Sequence, residues 1–308
     1  MKITFDAVPI CSDKMTGIGW CELGQTRALA ELYPENSYEY SFFTSGDKER
    51  VKRVKQLAGK SIKLNTSDFS GFAYRAASTF LPIPYSLFFG RKTELTHFFN
   101  YIVPPFVHGK KVVTVHDMVY KTFPETVRGR TKNMLDMGLK RSMKRADLIV
   151  TDSEFSKKEI IKYFPQHESK IRVVPCGVDT ERFHPCTEPE RIPEVKKSLE
   201  ISGDYFLYVG TIEPRKNLER LITAYTAFVK KVGVNSPKLV LAGGKGWLDQ
   251  GIFSRVEKLG MTEHIIFTKY VPSEDMNPLM CGALAFVFPS LSETRDLKKQ
   301  PSDTSRRK

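Results

Sequence analysis

The 308 residues are 41% apolar and 11% aromatic, a composition that builds globular cores and excludes general disorder. Apolar runs fall short of the ~18 to 20 residues that cross a bilayer, and "MKITFDAVPI" lacks the apolar centre of a secretory signal, so a cytoplasmic protein is expected. The formal charge of +13 suits an anionic partner, but it is not interleaved with an aromatic platform or a recognition helix, which argues against nucleic acid.

From the start, β-branched and aromatic runs alternate with helical stretches, the pattern of parallel sheets with helices on both faces. The predicted strands are "KITFDAV", "YEYSFFT", "THFFNYI", "KVVTVHD", "DLIVTDS" and "KIRVVPCGV", with helices over 22–32 and 154–164. After the first strand comes "SDKMTGIGWCELGQ". Gly17 and Gly19 fit part of a G-x-G-x-x-G turn, but the third glycine falls late at Gly24, so no nicotinamide cofactor is read from it. His116 and Asp117 follow an apolar strand, where a side chain points toward a crevice; a structural and a catalytic role for His116 both stand. The basic stretch from Arg128 to Arg145 reads as a solvated helix face or as a membrane-surface patch. Ser153 or Ser156 is placed to cap a helix.

The segment 186–204, rich in Pro and charge, reads as a linker between a domain over 1–185 and a second over 205–293. The second domain opens on "YFLYVG", and "NLERLITAYTAFVKK" follows as one amphipathic helix with Asn217 as its expected cap. Between them Arg215 and Lys216 precede a helix start, where an anion meets two cations and the positive end of the helix dipole. A surface "RK" pair is the plainer explanation. "KLVLAGG", with Gly243 and Gly244, a helix near 247–259, "HIIFTKYV", a helix near 274–281 and "LAFVFPS" continue the rhythm, and 283–289 is expected as a buried strand. The residues 294–308 read as a disordered basic tail. Cys11, Cys21, Cys176, Cys186 and Cys281 are odd in number, widely spread and form no C-x-x-C pair, which suits packing residues in a reducing compartment better than a disulfide framework or a zinc site. The sequence has no G-x-x-x-x-G-K-[ST], H-E-x-x-H, G-x-S-x-G or D-x-D, which weakens nucleoside triphosphatase, zinc protease, serine hydrolase and metal-diphosphate readings.

In order along the chain, "TVHDMVYKTFPE", "ADLIVTDSEFSKKEI", "KIRVVPCGVDTERFHP", "FLYVGTIEPRKNLERLI", "LVLAGGKGW", "FTKYVPSEDM" and "GALAFVFPSLSE" resemble the retaining group 1 glycosyltransferases, many of them mannosyltransferases of bacterial surface polysaccharide assembly. The resemblance implies the α/β GT-B fold: two Rossmann-like domains, the first for acceptor and the second, incomplete here, for a nucleotide-sugar such as GDP-mannose or a UDP-sugar. By that likeness Gly17 and Gly19 line the donor, His116 bonds the transferred sugar, Ser153 borders it, and Arg215 and Lys216 hold the diphosphate. It implies neither a metal, nor another cofactor, nor an enzymic nucleophile. Glu293 matches the first acid of the family's E-x7-E signature, while the position of the second is Pro301. The likeness therefore breaks at the join of Glu293 and Thr294, and a truncated chain with weakened donor binding is expected. The alternative is a non-catalytic protein that holds a glycan or lipid-linked acceptor, with peripheral contact to the inner membrane face.

Overall fold

The computed structural model describes residues 1–233, 235–244, 246 and 250–291. They fall into two units, one of Met1–Thr122 and Gly129–Gly177, the other of Phe123–Arg128 and the residues from Val178 onward.

The first unit runs β1 (Lys2–Asp6), α1 (Gly17–Leu32), β2 (Ser37–Phe43), α2 (Lys48–Ala58), β3 (Ile62–Ser67), α3 (Gly71–Phe80), α4 (Ser86–Phe89), β4 (Leu95–Phe98), β5 (Lys110–Thr114), α5 (Val119–Thr122), α6 (Gly129–Arg145), β6 (Leu148–Thr151), α7 (Glu154–Tyr163) and β7 (Ile171–Val173). Its seven strands are parallel in the order β3-β2-β1-β4-β5-β6-β7. Strands covered on both faces read as continuous apolar runs, which is why β1, β2, β5 and β6 stand out in the sequence. β3 does not. Among the described residues it pairs only with β2, at the sheet's edge, and beyond Ile62 its residues are half-buried or exposed, so it carries too few apolar positions to be predicted. On one face of the sheet Phe5, Tyr38, Tyr40 and Phe99 pack with Leu23 and Ala30 of α1, and Phe5 stacks on Tyr38 with centroids 5.9 Å apart. The basic stretch forms α6, which buries Leu135, Leu139, Ser142 and Met143 and leaves Arg130, Lys140 and Lys144 exposed.

The second unit runs α8 (Arg191–Ser198), β8 (Tyr205–Val209), α9 (Leu218–Val232), β9 (Lys238–Ala242), α10 (Gln250–Lys258), β10 (Ile265–Lys269), α11 (Ser273–Cys281) and β11 (Ala285–Phe286). Its four strands are also parallel, ordered β10-β9-β8-β11. One face packs Tyr208, Leu239 and Leu241 against Leu218, Ile222, Tyr225 and Val229 of α9; the other packs Tyr205, Leu207 and Val240 against Val195, Ile201 and Leu279.

That second face corrects the linker reading of 186–204. Val195 and Ile201 are core residues, and Arg191 of the same segment pairs with Asp275 at 3.0 Å. The charged, proline-bearing composition belongs to the outer side of α8, and its few apolar positions suffice to seat it. A second correction concerns 283–289, where only Ala285 and Phe286 form strand and both are exposed. Among the described residues β11 pairs with β8 alone, and Phe286 is in contact with Phe288, which in turn stacks on Tyr208.

Candidate functional site

In both sheets the strand order reverses beside the first strand, between β1 and β4 and between β8 and β11. Connections leave in opposite directions there, and the crevice beyond the carboxyl ends is where open α/β sheets receive ligands.

In the first unit the turn after β1 leads to α1, whose N-cap Thr16 makes no side-chain capping bond. The first turn of this 16-residue helix therefore presents backbone N–H groups at the positive end of its dipole. Gly19 is buried because a Cβ there would meet the Pro9 carbonyl oxygen at 2.8 Å, whereas a Cβ on Gly17 would meet nothing within 4 Å. Gly19 thus serves close packing of the helix on the turn, and Gly17 leaves an open approach.

His116 is buried two residues beyond β5, and Asp152 lies one residue beyond β6. The pairing of Thr114 with Val150, carried two residues on, brings them side by side, and His116 Nδ1 is 2.7 Å from Asp152 Oδ2. Nε2 is 2.8 Å from the Phe99 carbonyl oxygen. Burial opposes a charged imidazole, but the bond to Asp152, that carboxylate's charge and the Phe99 carbonyl outweigh it and raise the His116 pKa. With both ring nitrogens turned to protein acceptors, His116 as placed has no nitrogen to spare for a sugar hydroxyl. Ser153 caps α7, accepting from the Ser156 N–H at 3.0 Å, and the Ser156 hydroxyl donates to the His116 carbonyl at 2.9 Å. Asp152 was not singled out in the sequence, because its meeting with His116 depends on register across 36 residues.

A cavity of about 440 Å³ opens at the ends of β1, β2 and β4, with Asp6, Phe43, Phe72, Tyr74, Arg75 and Arg141 in its walls. Burial pushes the Asp6 carboxyl up to about 6, against the hydrogen bond it accepts from the Tyr85 hydroxyl at 3.1 Å and the pull of Arg75. An acid ending an apolar strand was the signal available for Asp6, and the sequence reading passed it over.

In the second unit Gly210 follows the last residue of β8, Val209. A Cβ on Gly243, at φ +157°, would meet the Gly210 carbonyl oxygen at 1.9 Å, so the ends of β8 and β9 approach as only glycine allows. The chain then forms a 3-10 turn over Pro214–Lys216, and the Leu291 N–H donates to the Arg215 carbonyl at 3.0 Å. Asn217 does not cap α9 as expected: it takes the left-handed conformation (φ 57°, ψ 33°), and its side-chain amide donates to the Pro289 carbonyl at 3.1 Å. These bonds fasten the turn to the segment after β11, at the reversal of strand order. Lys216 is buried there with its ammonium 5.1 Å from the centre of the Phe288 ring, and Arg215 pairs with Glu213 at 2.9 Å. Glu293 lies outside the described residues.

The first half of the chain, residues 25–182, matches the family model "Glycosyltransferase Family 4", and residues 192–295 match "Glycosyl transferases group 1". The chain is 29% identical over 305 residues to O-antigen chain mannosyltransferase B of Escherichia coli, covering 95% of this chain and 77% of that protein. It is 27% identical over 183 residues to O-antigen chain mannosyltransferase RfbU of Salmonella typhimurium, covering 59% and 46%. Among solved structures, the fold is similar to Anabaena HepE in complex with UDP-glucose (TM-score 0.64, 16% identity, 96% of this chain and 75% of that one). It is also similar to WaaG, a glycosyltransferase involved in lipopolysaccharide biosynthesis (TM-score 0.65, 14% identity, 96% and 76%). Matched by family models along both units and sharing the paired parallel sheets, the chain belongs to the group 1 glycosyltransferases of GT-B fold and is mannosyltransferase-like.

Proposed function

We propose that the chain transfers mannose, with retention, from a nucleotide-sugar to a carbohydrate acceptor of a bacterial surface polysaccharide. The observation that carries the donor assignment is Lys216, a buried ammonium on a turn fastened at the strand-order reversal of the second sheet. As the glycosidic bond breaks, negative charge grows on the leaving diphosphate. A preorganised cation in a partly desolvated site stabilises that charge more than it stabilises the ground state. Arg215 is the second cation, its charge partly engaged by Glu213. Within the first unit, Gly17 and the open start of α1 offer backbone N–H groups to a sugar, and Ser153 fixes the start of α7. His116, held at both nitrogens, acts by position. No side chain is assigned as nucleophile; the departing phosphate takes the acceptor's proton.

The acceptor is assigned to the first unit's cavity, whose aromatic walls suit sugar faces and whose arginines suit an anionic or phosphate-linked carrier. Exposed Phe72, Leu87 and Met134, with Arg130 over the Phe72 ring at 5.3 Å, supply an apolar and basic surface for membrane contact. Pro301 stands where the second acid of the signature would hold the donor ribose, so donor affinity is proposed to be weaker than in a chain with an acid there. The test is transfer from GDP-mannose, compared with UDP-sugars, by the wild type and Lys216→Ala. Mannose transfer lost in the variant supports the assignment, and equal rates sink it. Acceptor binding without any donor binding would instead favour the non-catalytic alternative.

A further inference from the structure

Behind the start of α1, four side chains from four separate segments converge. Ligand atoms of Cys21, His116 and Asp152 all lie within 4.8 Å of one another, and Cys176 Sγ is 3.3 Å from Cys21 Sγ. His116 and Asp152 are buried and the two cysteines half-buried. The expectation that these cysteines only pack does not account for what surrounds them.

The His116 Nε2 faces a carbonyl oxygen and must carry a hydrogen, which leaves Nδ1 as the atom turned to the cluster. Metal-binding histidines are oriented in this way, with the far N–H given to a backbone carbonyl. Between Nδ1 and Asp152 Oδ2 the structure requires a positive charge, either a proton or a cation. The other carboxylate oxygen, Asp152 Oδ1, is buried with no hydrogen-bond partner, although the residue is only 8% exposed. A buried carboxylate oxygen is costly to leave without a partner. Two sulfurs in contact complete a set of one imidazole, one carboxylate and two thiols.

We propose that Cys21, Cys176, His116 and Asp152 form a closed, tetrahedral site for a divalent zinc ion. Two thiolates with an imidazole select a borderline-soft ion over magnesium or calcium, and four protein ligands leave no open position for substrate, as in structural zinc sites. Zinc–sulfur bonds of about 2.3 Å set tetrahedral sulfurs about 3.8 Å apart, about half an ångström more than the 3.3 Å between them here, and Cys176, which touches Cys21 but lies outside the 4.8 Å set of the other three, has to swing in from its loop to complete the site. Binding releases the thiol protons and replaces the proton between His116 and Asp152. The ion would tie the first turns of α1, and so the glycine turn, to the ends of β5 and β6. This inference does not depend on the donor or acceptor assignments.

The protein is purified under reducing conditions without chelator and its metal content is measured. It is then stripped and titrated with Co²⁺. Near-stoichiometric zinc, and a thiolate-to-cobalt charge-transfer band with strong tetrahedral d–d absorption saturating at one ion per chain, are the expected results. Cys176→Ser, outside any regular element, should lower Co²⁺ affinity at least about tenfold and weaken the charge-transfer band. Cys186→Ser in the other unit should change neither. A wild-type chain with reduced thiols and no cobalt band would overturn the proposal. So would a Cys21–Cys176 disulfide found in the reductively purified protein by peptide mapping. Because the wild-type spectrum decides the matter, a misfolded variant leaves the test intact.

Discussion

The two sheets reverse strand order at equivalent points, β1/β4 and β8/β11, and furnish those points differently. The first has a raised-pKa acid, aromatic walls, an open helix start and a cavity. The second has strand ends pressed together through glycine and a buried lysine on a short turn. Topology selects where a ligand meets the sheet, and the side chains select which ligand. Aromatic walls suit the face of a sugar ring, whereas a fixed cation suits a diphosphate.

The largest effect that separates the two turns is steric. Gly243→Ala drives a Cβ into the Gly210 carbonyl at an unfavourable φ, and denaturant unfolding should show a loss of about 4 kcal/mol or more, whereas Gly17→Ala, with open space around it, should stay within about 0.5 kcal/mol. If Gly17→Ala keeps stability and loses transfer, the open approach serves a ligand. If both are kept, that role is withdrawn. Next, Lys216→Ala should lower kcat/KM by about 100- to 1000-fold, the effect of removing one preorganised charge partner of a transition state. Arg215→Ala should cost less, about tenfold, because Glu213 already holds part of its charge. Steady-state kinetics on both variants would rank the two cations, and the reverse ranking would break the distinction.

Asp6 supplies a pH test of the first unit. Its folded pKa of about 6 lies above the ordinary 3.8, so between these values the native state keeps a proton that the unfolded state has released. The contribution to stability is fullest below about pH 4 and is lost as pH rises toward 6, about 2 kcal/mol in all once exposure to the cavity is allowed for. Asp6→Asn should remove that slope. An identical pH profile for the variant would show that the carboxyl titrates normally and that the cavity is wetter than its walls suggest.

What the sequence made legible follows from where information is local. β1, β2, β5, β6, β8 and β9 announce themselves because both faces are covered, and Lys216 was visible because strand, glycine, cation and helix lie within a dozen residues. β3 was hidden by its place at an edge, and α8 by the charge on its outer side. Asn217 was misread because one residue type serves both a helix cap and a left-handed turn, and only the Pro289 carbonyl, 72 residues away, decides between them. The His116–Asp152 contact and the Cys21–Cys176 approach are products of sheet register and loop return, and no local pattern encodes them.

The central claim is that the turn bearing Lys216 binds the donor's diphosphate. Calorimetric titration with GDP and UDP measures it without requiring an acceptor. At least one nucleotide should bind the wild type and Asp6→Asn alike, and bind Lys216→Ala at least about tenfold more weakly. Equal affinity in Lys216→Ala, or no binding to the wild type at all, would contradict it.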